Sequence, residues 1–322
     1  MVNAAIIGLG RWGRGLVDSV QGLSETIRFT HAVVQAPDKH QDFCLSKNLL
    51  LTDSYHEVLR NPNIQLIVIA SPHNAHVSQV IAAAQAGKHV LCEKPLALTV
   101  AEAEKAVNAC TNSGVQLGVG HDKRYWPSMQ ALQAEVLTGN LGDLIHIEGN
   151  FSNENSRLMS AGWRQDSKNV PGGSITATGI HIVDAFVNLM GPMSRVQGNY
   201  VARSNTKEFC DAMSLLCEFK SGATGVISSI RPTPVFWRIH VFGTLMSIEA
   251  RGPNTLMLFH SGKPVEVREF EPINALHFQL ELMANCIQNS VPFPMPGNQI
   301  INTVEAFTAS AKAIDYGALV NL

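Results

Sequence analysis

The side chains of this chain that can do chemistry begin with a lysine. Lys94 stands in His89-Val90-Leu91-Cys92-Glu93-Lys94-Pro95-Leu96, where a short apolar run stops at an acid, a base and a proline. The apolar part reads as a buried strand. Pro95 cannot extend a central strand, and it holds the residue before it extended. Lys94 is therefore expected at a strand's end, in a fixed direction, where it can donate a proton or polarise an oxygen. A surface lysine at a strand edge carries the same three letters, so the surroundings must decide. His181 is the second candidate. It lies on an amphipathic helical pattern behind Gly172-Gly173. A histidine titrating near neutrality both takes and gives a proton. His73 and His76 are three apart at a helix start. No cysteine or carboxylate cluster accompanies them, so a cofactor-lining or capping role is expected and no metal site.

Phosphate chemistry is the next signal. Asn3-Ala4-Ala5-Ile6-Ile7 reads as a short buried strand that runs into Gly8-Leu9-Gly10-Arg11-Trp12-Gly13. A helical pattern follows through Leu16, Val17 and Val20. Glycines at these spacings allow a tight turn, close approach of a pyrophosphate to backbone, and tight helix packing; the helix N-terminus then faces the phosphates. The expected ligand is a dinucleotide, NAD or NADP. The second strand, about 29–34, ends where an acidic residue usually grips the ribose of NAD. Here Gln35-Ala36-Pro37-Asp38-Lys39-His40 follows instead. Gln35 can bond a ribose without repelling a 2′-phosphate, and Lys39 or His40 can attract one. The balance leans to NADP, with Asp38 as an alternative ribose ligand.

These residues need a frame. The chain has 322 residues, 45% hydrophobic and 16% charged, long enough for two domains with proper cores. The net charge of -2 and a pI near 6.6 favour neither nucleic acid nor an anionic membrane. No apolar run reaches the length of a membrane span, and no signal peptide is apparent. Cys44, Cys92, Cys110, Cys210, Cys217 and Cys286 include no Cys-x-x-Cys pair. They read as buried thiols in a reducing compartment, most simply the cytoplasm.

Strands alternate with helices up to about residue 121, which predicts a doubly wound parallel α/β sheet over 1–121. In such a sheet ligands bind outside the carboxyl ends of the strands. That rule brings Gly8, Gln35, Ser71, Lys94 and His121 to one edge. The pattern then changes. A helix over 128–138, a half-buried strand over 145–151 and a helix over 174–190 precede a series of strands between 196 and 270. This predicts an α+β domain over 122–322 with a mostly antiparallel open sheet. Helices over 274–288 and 298–316 close the chain, and the last is expected to pack back on the first domain. Trp163-Arg164 lies in a polar loop before the glycines, as a loop anchor or as a contact to nicotinamide or substrate. Arg157, Arg164 and Arg231 suit a substrate carboxylate or phosphate if they converge.

Four motifs stand in order: the glycine turn, Ser71-Pro72-His73-Asn74 with His76, Glu93-Lys94-Pro95, and Gly172-Gly173 followed by Gly179-Ile180-His181 and Asp184. Together, with Gly120-His121 and Arg124-Tyr125, they resemble the Gfo/Idh/MocA family over essentially the whole chain. The resemblance implies a Rossmann domain, a C-terminal domain whose sheet builds homodimers or homotetramers, and reversible hydride transfer between NAD(P) and a sugar, polyol or related carbonyl compound. Lys94 matches the family's catalytic lysine and His181 its acid or base. Cofactor contacts are expected of Gly8, Gly10, Arg11, Trp12, Gly13 and Gln35. They are expected also of Ser71, Pro72, His73, Asn74, His76, Glu93 and Lys94, and of Trp163 and Arg164. Substrate contacts are expected of Lys94, His121, Tyr125, Arg164, Thr178, His181 and Asp184. One departure stands out. Many members carry an Asp four residues before the histidine, where this chain has Ala177. Asp184, one helical turn beyond His181, is the candidate replacement. Two other readings stay open: an NAD-dependent glycosidase-like enzyme, and a dinucleotide-binding regulator without catalysis.

Overall fold

A computed structural model describes residues 1–154, 170–201, 212–231 and 233–322. The chain divides into two compact units. The first comprises Met1–Asp122 and Asn274–Ile301, the second Lys123–Ile273 and Asn302–Leu322.

In the first unit the strands are β1 (Val2–Ile7), β2 (Ile27–Val33), β3 (Leu50–Thr52), β4 (Leu66–Ile69), β5 (His89–Glu93) and β6 (Leu117–Gly120). They form a six-stranded sheet in the order β3-β2-β1-β4-β5-β6. Every pairing is parallel. The helices between them are α1 (Arg11–Val20), α2 (Gln41–Ser46), α3 (Tyr55–Arg60), α4 (His76–Gln85) and α5 (Val100–Asn112). Residues of β4 are buried without exception, which is why this strand is a continuous apolar run rather than an alternating one. Thr99 caps α5 by accepting from the Glu102 amide, as its position before the apolar pattern predicts.

The second unit holds α6 (Pro127–Leu137), β7 (Leu144–Ser152), α7 (Ile180–Met190), β8 (Met193–Val201), β9 (Ala212–Phe219), β10 (Thr224–Ile230) and β11 (Phe236–Gly243). It continues with β12 (Met246–Arg251), β13 (Thr255–His260) and β14 (Glu266–Glu269). Helices α8 (Ala275–Asn289) and α9 (Gly297–Tyr316) and strand β15 (Leu319–Asn321) end the chain. The nine-stranded sheet runs β14-β13-β12-β11-β7-β10-β9-β8-β15, antiparallel except where β10 meets β7. Its alternation is plain on β11. Trp237, Ile239 and Val241 are buried, while Arg238, His240 and Phe242 occupy the other face. Ile182 and Phe186 of α7 are fully buried against this sheet, each worth about 1.5–3 kcal/mol of burial. They come so close to β7 that a Cβ on Gly149 would stand 2.4 Å from Ile182 and 2.7 Å from Phe186.

Three features depart from the sequence reading. The predicted helix over 174–190 is regular only from Ile180; Ile175–Gly179 is a π-turn, a feature frequent at functional sites. The segment that joins the first unit is 274–301, not the last helix as a whole. There α8 packs on α1, with His277 Nδ1 2.7 Å from the Ser19 carbonyl and Ser24 donating to Glu281 at 2.7 Å. The short elements α2 and β15 carry too few residues to show a period. Among the described residues, the cysteines are free and buried, and no helix is long and apolar enough to cross a membrane.

Candidate active site

The site begins where β1 ends. Parallel register sets Ile7 beside Val33 and Ile69, Ile69 beside Cys92, and Glu93 beside Gly120. The residues that follow these strand ends therefore share one edge, as the sequence predicts for Gly8, Gln35, Ser71, Lys94 and His121. Gly8 turns with φ +96°, and a Cβ there would meet the Ala70 carbonyl at 2.8 Å. A Cβ on Gly13 would meet the Gly8 carbonyl at 2.0 Å. Gly10 is different: nothing lies within 4 Å of where its Cβ would be. It stands at the N-terminus of α1, which no side chain caps. Open space over uncapped amides fits a pyrophosphate. Arg11 beside it is exposed and Trp12 half-buried.

At the end of β2, Gln35 is exposed. Arg14, one turn into α1, reaches toward the segment after it. Its Nη2 lies 3.2 Å from His40 Nδ1, its Nε donates to the Leu9 carbonyl at 3.3 Å, and its guanidinium covers the Phe43 ring at 4.9 Å. Burial, Arg14 and Lys39 all lower the pKa of His40, so the ring is neutral at pH 7 and its Nδ1 accepts from Arg14. Arg14, Lys39 and His40 thus form a donor-rich group.

The lysine lies at the carboxyl end of β5. Lys94 is half-buried and precedes a cis Pro95. Glu93 is buried, with its carboxyl laid over the Gly120 backbone; a Cβ there would come within 2.5 Å of Oε1. Burial raises its pKa to about 8; Asp122 adds to the rise while Trp12 and Lys94 oppose it. The carboxyl is protonated at neutral pH. Ser71 donates to Gln79 Oε1 at 2.6 Å, and Asn74 is exposed. His73 is half-buried with its ring edge-on to His76, centroids 5.6 Å apart. His76 is fully buried, so it does not line a ligand surface; its ring nitrogens lie 2.8 Å from the Pro95 carbonyl and 2.9 Å from the Ser71 carbonyl. Pro72 opens the short turn that leads into α4. His121 is 4% exposed.

In the second unit His181 lies on the first turn of α7, with its ring edge-on to Phe151 at 5.7 Å. Phe151 in turn meets Trp237, and Trp237 meets Trp126. This aromatic row fixes the histidine's direction. Asp184 accepts two hydrogen bonds from Arg124, at 2.7 and 2.6 Å, with both side chains buried. Burial opposes the Arg124 charge, and Asp184 more than restores it, leaving the guanidinium pKa above its usual value. The expected replacement for the missing Ala177 carboxylate is therefore committed to an ion pair. Thr178 is buried, its hydroxyl 2.7 Å from Ser229 and donating to the Ser174 carbonyl. Tyr125 and Arg231 are buried. Arg157, Trp163 and Arg164 lie outside the described residues.

Comparison with known proteins decides the family. Residues 2–121 match the model of the oxidoreductase family with an NAD-binding Rossmann fold, and residues 129–249 match the GFO/IDH/MocA C-terminal domain. The chain belongs to the Gfo/Idh/MocA oxidoreductase family. Trans-1,2-dihydrobenzene-1,2-diol dehydrogenase of Mus musculus is 29% identical over 67% of this chain and 66% of its own. The scyllo-inositol 2-dehydrogenase (NADP(+)) of Bacillus subtilis (strain 168) is 28% identical over 51% of this chain and 45% of its own. The chain thus spans less than two thirds of these curated relatives. Among solved structures, levoglucosan dehydrogenase in complex with NADH and levoglucosan superposes with a TM-score of 0.88, covering 100% of this chain and 99% of that one at 18% identity. At that identity the likeness is one of fold.

Sequence reasoning missed two groups. Arg14 follows the glycine turn rather than the second strand, so a search at the strand's end passes it by. The partners of His76 are main-chain carbonyls, which no residue type announces.

Glu93 carries a pH signature. Its pKa is raised on folding, so its contribution to stability is present below the ordinary carboxylate pKa and is lost as pH rises toward 8. Glu93→Gln is expected to raise the melting temperature relative to wild type at pH 8 and to make no such gain at pH 4.5. Equal shifts at both values would remove the buried neutral acid from the account.

Proposed function

We propose that the chain is an NAD(P)-dependent dehydrogenase acting on a secondary alcohol of a ring-borne polyol or sugar, or on the matching carbonyl. The observation that carries this is Lys94 at the same strand edge as the glycine turn. The two named relatives support the substrate class, since a dihydrobenzenediol and an inositol are both cyclic with adjacent hydroxyls. When bound, the nicotinamide supplies the hydride acceptor or donor. The chain's own part is position and proton handling. Lys94 bonds the substrate oxygen and takes its proton as the carbonyl forms, or returns it in the reverse direction. His181 serves as the second acid or base. Glu93, neutral beside the lysine, leaves the proton transfer to these two groups. Arg231, buried in the second unit, is a candidate contact for an anionic substrate group.

For the cofactor we favour NADP. The supporting group is Arg14 with Lys39 and His40, and the absence of a carboxylate at Gln35 agrees with it. For assembly we favour a homodimer or homotetramer through the open face of the nine-stranded sheet. Leu216 of β9 is 61% exposed on that face. On β11 and its neighbours, Arg238 pairs with Glu148 and with Glu249 while His240 stacks on Phe242.

Turnover across a panel of cyclic polyols and sugars, read as NAD(P)H absorbance, tests the activity. Lys94→Ala is expected to lower kcat by about 10²–10⁴-fold with the dinucleotide Kd little changed. Near-full activity of that variant would refute the assigned role. Arg14→Ala is expected to weaken NADPH binding by roughly 10- to 100-fold and to leave NADH alone; equal effects on both would refute the phosphate role. Sedimentation is expected to show a dimer or tetramer that Leu216→Lys dissociates, and a monomeric wild type would overturn the assembly.

A further inference from the structure

Lys94 is only as well placed as the turn that carries it. Pro95 has no N–H to donate, so the ladder that fixes β5 has no bond to offer from this residue. One bond that the turn makes comes from its carbonyl. His76, the first residue of α4, sets one ring nitrogen 2.8 Å from that Pro95 oxygen. The other nitrogen stands 2.9 Å from the Ser71 oxygen, just beyond the end of β4. Strands β4 and β5 are paired, with Ile69 beside Cys92. The imidazole therefore spans the two loops that leave neighbouring strand ends. It is 0% exposed, so water cannot replace it at either oxygen.

The chemistry of the ring makes the bridge demanding. A neutral imidazole carries one N–H and satisfies one carbonyl; the imidazolium satisfies both. Burial disfavours the charged ring, while the Pro95 and Ser71 carbonyls favour it. Neutral or charged, the ring offers a donor at these two oxygens. Leaving a buried carbonyl without a donor costs about 1–3 kcal/mol, enough to let a turn open.

We infer that His76 is a positioning residue, a side-chain bridge between two strand ends that holds the turn bearing Lys94. This rests on the proposed role of Lys94, and it separates two duties that the motif around Ser71-Pro72-His73-Asn74 runs together. His76 acts on the protein's own backbone and touches neither substrate nor cofactor.

Two variants of the full chain test it. His76→Leu keeps bulk and removes every donor; His76→Gln keeps an amide that can still donate. Hydrogen–deuterium exchange is followed in the peptide over 89–98. In His76→Leu the amides there are expected to exchange about tenfold faster, with kcat lowered by roughly 100-fold and dinucleotide affinity retained. His76→Gln is expected to fall between Leu and wild type in both readings. Wild-type exchange in His76→Leu would overturn the bridge. So would faster exchange with unaltered kcat. If the wild-type protein oxidises no member of the panel, the functional reading fails and the exchange arm alone judges the bridge. If neither variant folds, ¹⁵N-histidine NMR of the wild type decides. A slowly exchanging imidazole N–H supports the bridge, and a ring proton exchanging at the solvent rate overturns it.

Discussion

Parallel pairing of β1 with β4 is the constraint on which the first unit depends. Two parallel strands end at the same edge, and between β1 and β4, where the strand order reverses, the chains part there in opposite senses. At this edge Gly8 leaves β1 within 2.8 Å, at its Cβ position, of the Ala70 carbonyl that leaves β4. Only a residue without a Cβ can make that departure. The order β3-β2-β1-β4-β5-β6 makes it the topological switch point, the position where doubly wound sheets take their ligands. The cradle at Gly10, the Arg14 group and the Lys94 turn are all consequences. Each is a chain segment that must find its way out from the same row of strand ends.

Much of this frame can be read in the sequence, for physical reasons. Strands buried on both faces are unbroken apolar runs, and the helices between them keep a period of their own. Glycine and proline mark the ends because few other residues tolerate the backbone there. Hence the alternation of strands and helices, the shared edge and the place of Lys94 at a strand's end follow from composition along the chain. What cannot be read is the identity of a partner. Asp184 shows why. Spacing puts it one turn from His181, which suggests a carboxylate serving that histidine. The structure gives both its oxygens to Arg124, sixty positions earlier in the chain. No local pattern reports a contact of that span. The same holds for 274–301, whose return to the first unit depends on the fit of α8 to α1.

The Arg124–Asp184 pair also bears on what Ala177 means. A buried guanidinium bound at two oxygens is a costly arrangement to break, since either partner alone would be an uncompensated charge. Asp184 therefore cannot move to His181 without stranding Arg124. Asp184, beyond His181 on the same helix, is held by Arg124 through both its oxygens. The pair instead ties the segment after β6 to α7, which makes it a strut of the second unit.

Burial acts on the neighbours of Lys94 with opposite signs and one result. It raises the Glu93 pKa, so the acid keeps its proton. It lowers the His76 pKa, so the base is disfavoured from taking one. An acid pushed up and a base pushed down both tend to neutrality near pH 7. Gly120 permits the first by letting the carboxyl lie against backbone, and the second stands within 2.9 Å of two strand-end carbonyls, one of which a neutral ring satisfies with its single N–H. Two ionisable side chains beside the ends of β4 and β5 are thereby held toward their neutral forms. If Lys94 handles the substrate proton as proposed, it does so with His181 and beside two groups that burial holds toward neutrality.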